Sequence, residues 1–321
     1  MQVGNETETM KALPILDEQP VRELVVISGK GGTGKTSIVA SLAAMTSGTV
    51  LADCDVDAAD LHLVMRPTVK RREAFSGGKR ARIQSELCTA CGKCEELCRF
   101  GAVAWTGPGN GRDAITLEID PTACEGCGVC VHFCDEKAIT FEPAINGQWF
   151  ISETRHGPMV HAELGIAEEN SGKLVSLIRR KASDLARQYG FDTVLIDGSP
   201  GVGCPVIASI TGADLVLIVT EPTLSGIHDL DRVVDLTSHF QIPTTVCVNK
   251  WDINPQLSKE IEEQAERRGV GFLGRVRYDQ AVTKAQLHEQ AIVEYQDGGA
   301  AEDVREVCKK AWERLRGKSP K

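Results

Sequence analysis

The stretch Gly29-Lys30-Gly31-Gly32-Thr33-Gly34-Lys35-Thr36 fits the pattern G-x-x-x-x-G-K-[ST], and the rest of the chain is read outward from it. The apolar run Glu23-Leu-Val-Val-Ile-Ser28 leads into it, and a helical pattern from Lys35 to about Met45 leads out. In that strand–loop–helix context the glycines let backbone N–H groups approach phosphate oxygens, and the helix N-terminus adds partial positive charge. Lys35 suits the β- and γ-phosphates, and the Thr36 hydroxyl suits Mg²⁺. Gly29, Lys30, Gly31, Gly32, Thr33, Gly34, Lys35, Thr36 and Ser37 are therefore expected to bind a nucleotide.

Other β-branched runs flank this loop: Thr49-Val-Leu-Ala52, Thr193-Val-Leu-Ile196, Leu215-Val-Leu-Ile-Val219 and Thr244-Thr-Val-Cys-Val248. Short and bounded by turn residues, they suit strands buried on both faces. Helical spacing appears between them, at Leu174, Val175, Ile178, Ala182, Leu185 and Ala186, and again from about Leu257 to Arg268 before Gly269. Alternating strands and helices predict a doubly wound, mostly parallel α/β sheet. The length of 321 residues allows roughly two domains at ~150 residues each. With 42% hydrophobic and 25% charged residues, a mainly disordered chain is excluded. Acids outnumber bases 45 to 36, a net charge of −9, so no nucleic-acid or anionic-membrane partner is expected. Residues 1–20 read as a polar N-terminal tail without the apolar core of a secretory signal, and no run approaches the ~18 residues of a membrane span. The expected location is cytoplasmic.

Eight of the 12 cysteines fall between Cys88 and Cys134. In a reducing compartment such a cluster points to metal rather than disulfides. Cys88, Cys91, Cys94 and Cys98 reappear as Cys124, Cys127, Cys130 and Cys134, each shifted by 36 residues, and Ala102-Val103 matches Ala138-Ile139. The stretch is an internal repeat of two supersecondary units. Pro67, Lys70-Arg71-Arg72 and Gly77-Gly78 mark its start, and Pro143, Asn146 and Gly147 its end. The expected organisation is a discontinuous phosphate-loop domain, 21–69 and 150–321, with a small inserted domain at 70–149.

The spacing C-x₂-C-x₂-C-x₃-C, present twice, resembles that of bacterial two-cluster ferredoxins. There the fourth cysteine of each run ligates the other cluster. The resemblance implies one [4Fe–4S] cluster on Cys88, Cys91, Cys94 and Cys134, and a second on Cys98, Cys124, Cys127 and Cys130. Zinc is the rival, but structural zinc favours two C-x₂-C pairs well apart. The proline that usually follows the fourth cysteine is replaced by Arg99 and Asp135, charges that bear on potential more than on ligation.

The α/β part resembles the MinD/ParA class of P-loop ATPases, related to the nitrogenase iron protein and the Mrp-type Fe–S carrier ATPases. Lys30, a second lysine early in the loop, is the mark of that class. There it crosses the dimer interface to the partner's nucleotide. Asp53-Cys-Asp55-Val-Asp57 resembles the first switch, whose second acid, here Asp55, orients or deprotonates the attacking water. Asp197-Gly-Ser-Pro-Gly-Val-Gly203 resembles Walker B running into switch II. The resemblance thus implies Lys30, Lys35 and Asp55 in catalysis and Thr36, Asp55 and Asp197 around Mg²⁺. Asn249-Lys-Trp-Asp252 resembles the adenine-recognition turn.

The remaining features have plainer readings. Cys54, Cys247 and Cys308 are expected to be packing residues. Cys204 sits where the nitrogenase iron protein has a cluster ligand. No cysteine between Phe150 and Phe191 supplies that protein's second one, so a cluster bridging subunits is not expected. Asn170 or Ser171 reads as a helix N-cap within Glu169–Lys173, and His161 as a packed histidine. Lys70 to Arg72 with Lys79, Arg80 and Arg82 form a basic collar. In the last helix, about Ala300 to Arg316, Val304, Val307, Ala311 and Leu315 form a stripe suited to docking on the sheet.

The resemblance implies a Mg-ATPase acting as a homodimer, or as a heterodimer with a related ATPase, and carrying two [4Fe–4S] clusters. Three roles follow: ATP-gated electron delivery to a metalloprotein or its maturation, assembly and carriage of a metal cofactor, or positioning with structural or redox-sensing clusters. Permanent clusters favour the first.

Overall fold

The computed structural model describes residues 20–106, 116–165 and 172–317. Among these, the strands are β1 (Arg22–Ile27), β2 (Thr49–Asp53), β3 (Thr68–Phe75), β4 (Gly78–Ile83), β5 (Val103–Thr106), β6 (Thr116–Ile119), β7 (Ile139–Ala144), β8 (Gly147–Thr154), β9 (Gly157–Leu164), β10 (Thr193–Asp197), β11 (Leu215–Thr220), β12 (Thr244–Asn249) and β13 (Gly271–Val276). The helices are α1 (Lys35–Ala44), α2 (Leu61–Met65), α3 (Lys93–Leu97), α4 (Val129–His132), α5 (Gly172–Tyr189), α6 (Cys204–Ile210), α7 (Leu224–His239), α8 (Pro255–Arg267), α9 (Ala281–Leu287), α10 (Ile292–Tyr295) and α11 (Ala300–Arg316).

Nine strands form one sheet in the order β13-β12-β11-β1-β10-β2-β9-β8-β3. From β13 to β9 all neighbours are parallel; β8 runs antiparallel to β9 and β3. The five strands expected from sequence are β1, β2, β10, β11 and β12, the centre of the sheet. Side chains alternate across it, as a strand's period of two requires. Val25 and Ile27 of β1 pack on one face with α5 to α8, while Leu24 and Val26 pack on the other with α1, α2 and α9 to α11. The six apolar positions read in α5 are all buried. Val304, Val307, Ala311 and Leu315 of α11 are buried with Trp312 in the second core. That stripe docks on the sheet. No described helix is long and apolar enough to cross a membrane.

The expected insert limits, 70–149, are too wide. β3 and β8 pair with each other along the edge of the large sheet, from Thr68↔Glu153 to Phe75↔Gly147. The described strands between 78 and 144 are outside it, forming two separate ribbons, β4–β7 and β5–β6. The basic run was misleading because Lys70, Arg71 and Arg72 lie on an edge strand, where charge discourages pairing with other chains. Lys70 pairs with Glu153 at 3.0 Å, and the Arg71 and Arg72 guanidiniums lie over the Trp149 and Phe150 rings.

In 78–144 the repeat is structural. α3 and α4 each start after a glycine in the left-handed region, Gly92 (φ 78°) and Gly128 (φ 75°). A small core of Ala81, Ala102, Val103, Leu117, Ile119 and Ile139 joins the halves. At the junction, Asn146 Oδ1 accepts from the Gly77 N–H at 2.8 Å, and Lys173 Nζ donates to the Gly77 carbonyl at 2.8 Å. His161 is a packed residue: it stacks on Phe150 and its Nε2 lies 2.8 Å from Ser152 Oγ. The tail 1–19 and the N-cap candidates Asn170 and Ser171 lie outside the described residues.

Candidate nucleotide site and cysteine cavities

The C-terminal ends of β1, β2, β10 and β12 meet at one edge of the sheet, the position where open α/β sheets bind ligands. The loop after β1 carries Gly29 to Gly34 and turns into α1. Gly34 has φ 89°, and a Cβ there would run into Asn249 Nδ2, so this position needs glycine on both counts. The second switch is tied to the loop by backbone bonds, Gly201 N–H to Ser28 C=O at 2.8 Å and Gly198 N–H to Val26 C=O at 2.9 Å.

Lys35 is 5% exposed and lies among three buried acids, Asp53, Asp55 and Asp197. Its Nζ pairs with Asp197 and lies 3.2 Å from Asp55 Oδ2. Burial disfavours its charge, but Asp197 and Asp55 outweigh burial and raise its pKa, so it stays protonated. Thr36 Oγ1 donates to Asp197 Oδ2 at 2.9 Å. Burial raises the Asp55 carboxyl against the pull of Lys35. Burial and the neighbouring charge of Asp197 push Asp53 well above the carboxylate range, which makes it the acid of the three best suited to keep a proton. The Asp55 N–H donates to Asp53 Oδ1 at 3.2 Å.

Three buried oxygens here, Thr33 Oγ1, Asp53 Oδ2 and Asp55 Oδ1, have no hydrogen-bond partner. A buried polar atom left unmet is costly, and two of the three residues, Thr33 and Asp55, line the cavity beside the phosphate loop. The donor set, a hydroxyl and carboxylates, is the one a hard cation takes. The residues fit Mg-nucleotide.

The adjoining cavity, about 370 Å³, is lined by Gly31 to Ser37, Asp55, Asn249 and Lys250 on one side. Arg277, Tyr278, Asp279 and Gln286 form the opposite wall. Sequence reading missed that wall. The only signal was its place after a strand, β13, that was itself unread. Two expected site residues make contacts within the chain. Asn249, read as a base-recognition residue, is spent on the loop: Nδ2 donates to Thr33 C=O at 2.7 Å, and Oδ1 accepts from Lys250 N–H at 3.0 Å. Lys30, expected to point at a partner chain, lies 2.6 Å from Glu221 Oε1 of its own chain.

The eight clustered cysteines are all free thiols and gather around two small cavities. Cys88, Cys91, Cys94 and Cys134 line one of about 90 Å³. Cys98, Cys124, Cys127 and Cys130 line the other, about 20 Å³. Each set takes three cysteines from one half and one from the other. Backbone N–H groups already point at sulfur, Ala90 at Cys88 Sγ (3.4 Å) and Ala138 at Cys134 Sγ (3.3 Å). Burial and the neighbouring Cys124 push the Cys130 thiol up to about 11. Among the described residues no three His, Cys, Asp or Glu side chains close on one point as a single metal ion requires. Sulfur-only sets of four, with backbone N–H groups on two of the sulfurs, are of a chemistry that a [4Fe–4S] cluster takes. Cys54, Cys247 and Cys308 are buried, and Cys204 is exposed at the start of α6.

The fold and this site define a P-loop nucleotide-binding protein of the MinD/ParA kind. The profile of the CobQ/CobB/MinD/ParA nucleotide binding domain matches residues 24–292, and the chain belongs to that family of ATPases. An uncharacterized protein of Methanocaldococcus jannaschii is 34% identical over 239 residues, 73% of this chain and 80% of that one. An iron-sulfur cluster carrier protein of Pyrococcus horikoshii is 26% identical over 157 residues, 45% of this chain and 53% of that one. The septum site-determining protein MinD complexed with Mg-ADP from Pyrococcus horikoshii shares the fold, with a TM-score of 0.55 and 14% identity over 92% of this chain and 98% of that one.

Proposed function

We propose that this ATPase works as a dimer in which nucleotide binding and hydrolysis are coupled to two [4Fe–4S] clusters held by residues 78–144. Its output on this reading is electron delivery, under ATP control, to a metalloprotein or to a protein that matures one. The carrying observation is the sorting of eight cysteines into two sets of four, each drawn from both halves of the repeat.

When bound, the clusters supply one-electron storage and Mg²⁺ offsets phosphate charge. Lys35 keeps its proton and presents positive charge to the phosphates, with Thr36 Oγ1 beside it. Asp55 Oδ1 has no hydrogen-bond partner, so it accepts from the attacking water and orients it. Asp197, paired with both Lys35 and Thr36, keeps Lys35 fixed meanwhile. Lys30 meets phosphate in the partner's site. The route from this site to the clusters is short in the chain. Asp53 ends β2 and Asp55 lies just beyond it, α2 follows, and β3 leads into the cysteine segment. β8 and β9 bring the chain back beside β2.

The test is an iron and acid-labile sulfide count on anaerobically prepared protein, followed by paramagnetic resonance of Cys88→Ser and Cys134→Ser. The reading expects ~8 irons per chain, two four-iron clusters. The two variants, 46 positions apart, should lose the same signal. Loss of different signals would reject the crossed sets. A second reading, release of a cluster to an acceptor, is favoured by the relative named as an iron-sulfur cluster carrier. Iron leaving stoichiometrically with ATP turnover would select it.

A further inference from the structure

Lys30 does not stand free in its own chain. Its ammonium meets three oxygens, Glu221 Oε1 at 2.6 Å, Ser225 Oγ at 3.1 Å and Thr223 Oγ1 at 3.4 Å. Three donor hydrogens are thereby matched by three acceptors. Glu221 follows β11, and its other oxygen, Oε2, lies 3.3 Å from Lys250 Nζ. Lys250 in turn donates to the Gly32 carbonyl at 3.0 Å. One carboxylate thus bridges Lys30, within the phosphate loop, and Lys250, which is bonded to the same loop at Gly32. Burial works to raise the Glu221 carboxyl, but hydrogen bonds from Lys30 and Lys250 outweigh it and leave it lowered.

We propose that Glu221 is a positioning residue for Lys30: it holds that ammonium within its own chain and so sets how much ATP is needed to join two chains. This rests on the reading that Lys30 acts on the partner's phosphates. To do so Lys30 must exchange the Glu221 carboxylate for phosphate. The exchange does not strand a charge, because Lys250 stays on Oε2 and keeps Glu221 neutralised. The proposal has two arrangements, one with Lys30 inward on Glu221 and one with Lys30 across the interface. Binding energy from the partner's phosphates decides between them. Lys250 also links the carboxylate to Gly32, so Glu221 shifts with the loop that holds the nucleotide.

The experiment is sedimentation of the full-length, iron-loaded protein against a non-hydrolysable ATP analogue, in the presence of Mg²⁺. Glu221→Gln should lower the analogue concentration for half-dimerisation about 5-fold, the size expected of an ion pair that keeps contact with solvent. Ser225→Ala, which removes only a neutral acceptor, should act in the same direction by about 2-fold, and it serves if Glu221→Gln folds poorly. Lys30→Ala should abolish dimerisation, alone and combined with Glu221→Gln. An unchanged or higher analogue requirement in Glu221→Gln and Ser225→Ala, with Lys30→Ala still monomeric, would overturn the role of Glu221 and leave that of Lys30 standing. Wild-type dimerisation by Lys30→Ala would overturn both.

Discussion

The two ends of this molecule are built on opposite principles. At the phosphate loop, two large apolar cores clamp the sheet from both faces, and Lys35, Asp53, Asp55 and Asp197 are buried. In the cysteine segment, six buried apolar residues hold two short ribbons together, and none of its eight cysteines is fully buried. The nucleotide site is arranged by the protein alone. A core as thin as that of residues 78–144 is typical of small domains that rely on a covalent or metal staple. The clusters therefore carry fold as well as electrons on this account, and cross-ligation ties the halves.

The largest expected effect breaks the comparison at its weak side. Anaerobic removal of iron by a chelator should raise amide exchange across residues 78–144 to near the unfolded rate. The strands β1, β2, β10 and β11 should stay protected, and nucleotide binding should persist. Equal protection of 78–144 with and without iron would show that the ribbons hold themselves.

The next effect sharpens the strong side. Asp55→Asn should cut ATP hydrolysis by ~10²–10⁴ while nucleotide still binds, because the acid acts on water and not on phosphate. Only the ionised carboxylate accepts from water in that role. Since burial raises the Asp55 carboxyl, hydrolysis should fall on acidification at a pH above that of an ordinary carboxylate. A rate profile of the wild type, checked against the loss of that limb in Asp55→Asn, tests the sign.

The smallest effect lies between the two regions, on β9. Burial lowers the His161 pKa from 6.5 to about 4. The unfolded chain then binds a proton that the folded chain refuses, so stability should fall as pH drops from about 6.5 to about 4, by no more than about 3 kcal/mol. His161→Asn should flatten that part of a denaturation-versus-pH curve. An unchanged slope would mean that His161 charges freely in the fold.

The same contrast explains what the sequence discloses. The phosphate loop, the five central strands, the buried face of α5 and the α11 stripe are local patterns with a single period, and they read directly. The cysteine spacing is likewise local, and its two halves differ by one constant shift. β3 did not read as sheet, because an edge strand carries charge: Lys70, Arg71 and Arg72 look like a linker until Glu153, Trp149 and Phe150 are beside them. β13 is broken by Gly271 and Gly274, and the cavity wall behind it went unread with it. The contacts of Glu221 with Lys30 and of Asn249 with the phosphate loop join residues that lie far apart in sequence. Glu221 meets Lys30 from 191 positions away, and Asn249 meets Thr33 from 216. No periodicity announces such pairs.

The central claim is that the two regions act as one machine, with β3 and β8 lying in the same sheet as β2 and Lys173 bonded to the junction at Gly77. The most direct test is the reduction midpoint of the clusters, titrated anaerobically with a non-hydrolysable Mg-ATP analogue and with Mg-ADP. The account predicts different midpoints in the two nucleotide states of the wild type and one common midpoint in Lys35→Ala. Identical midpoints in the wild type, with both nucleotides shown to be bound, would contradict it.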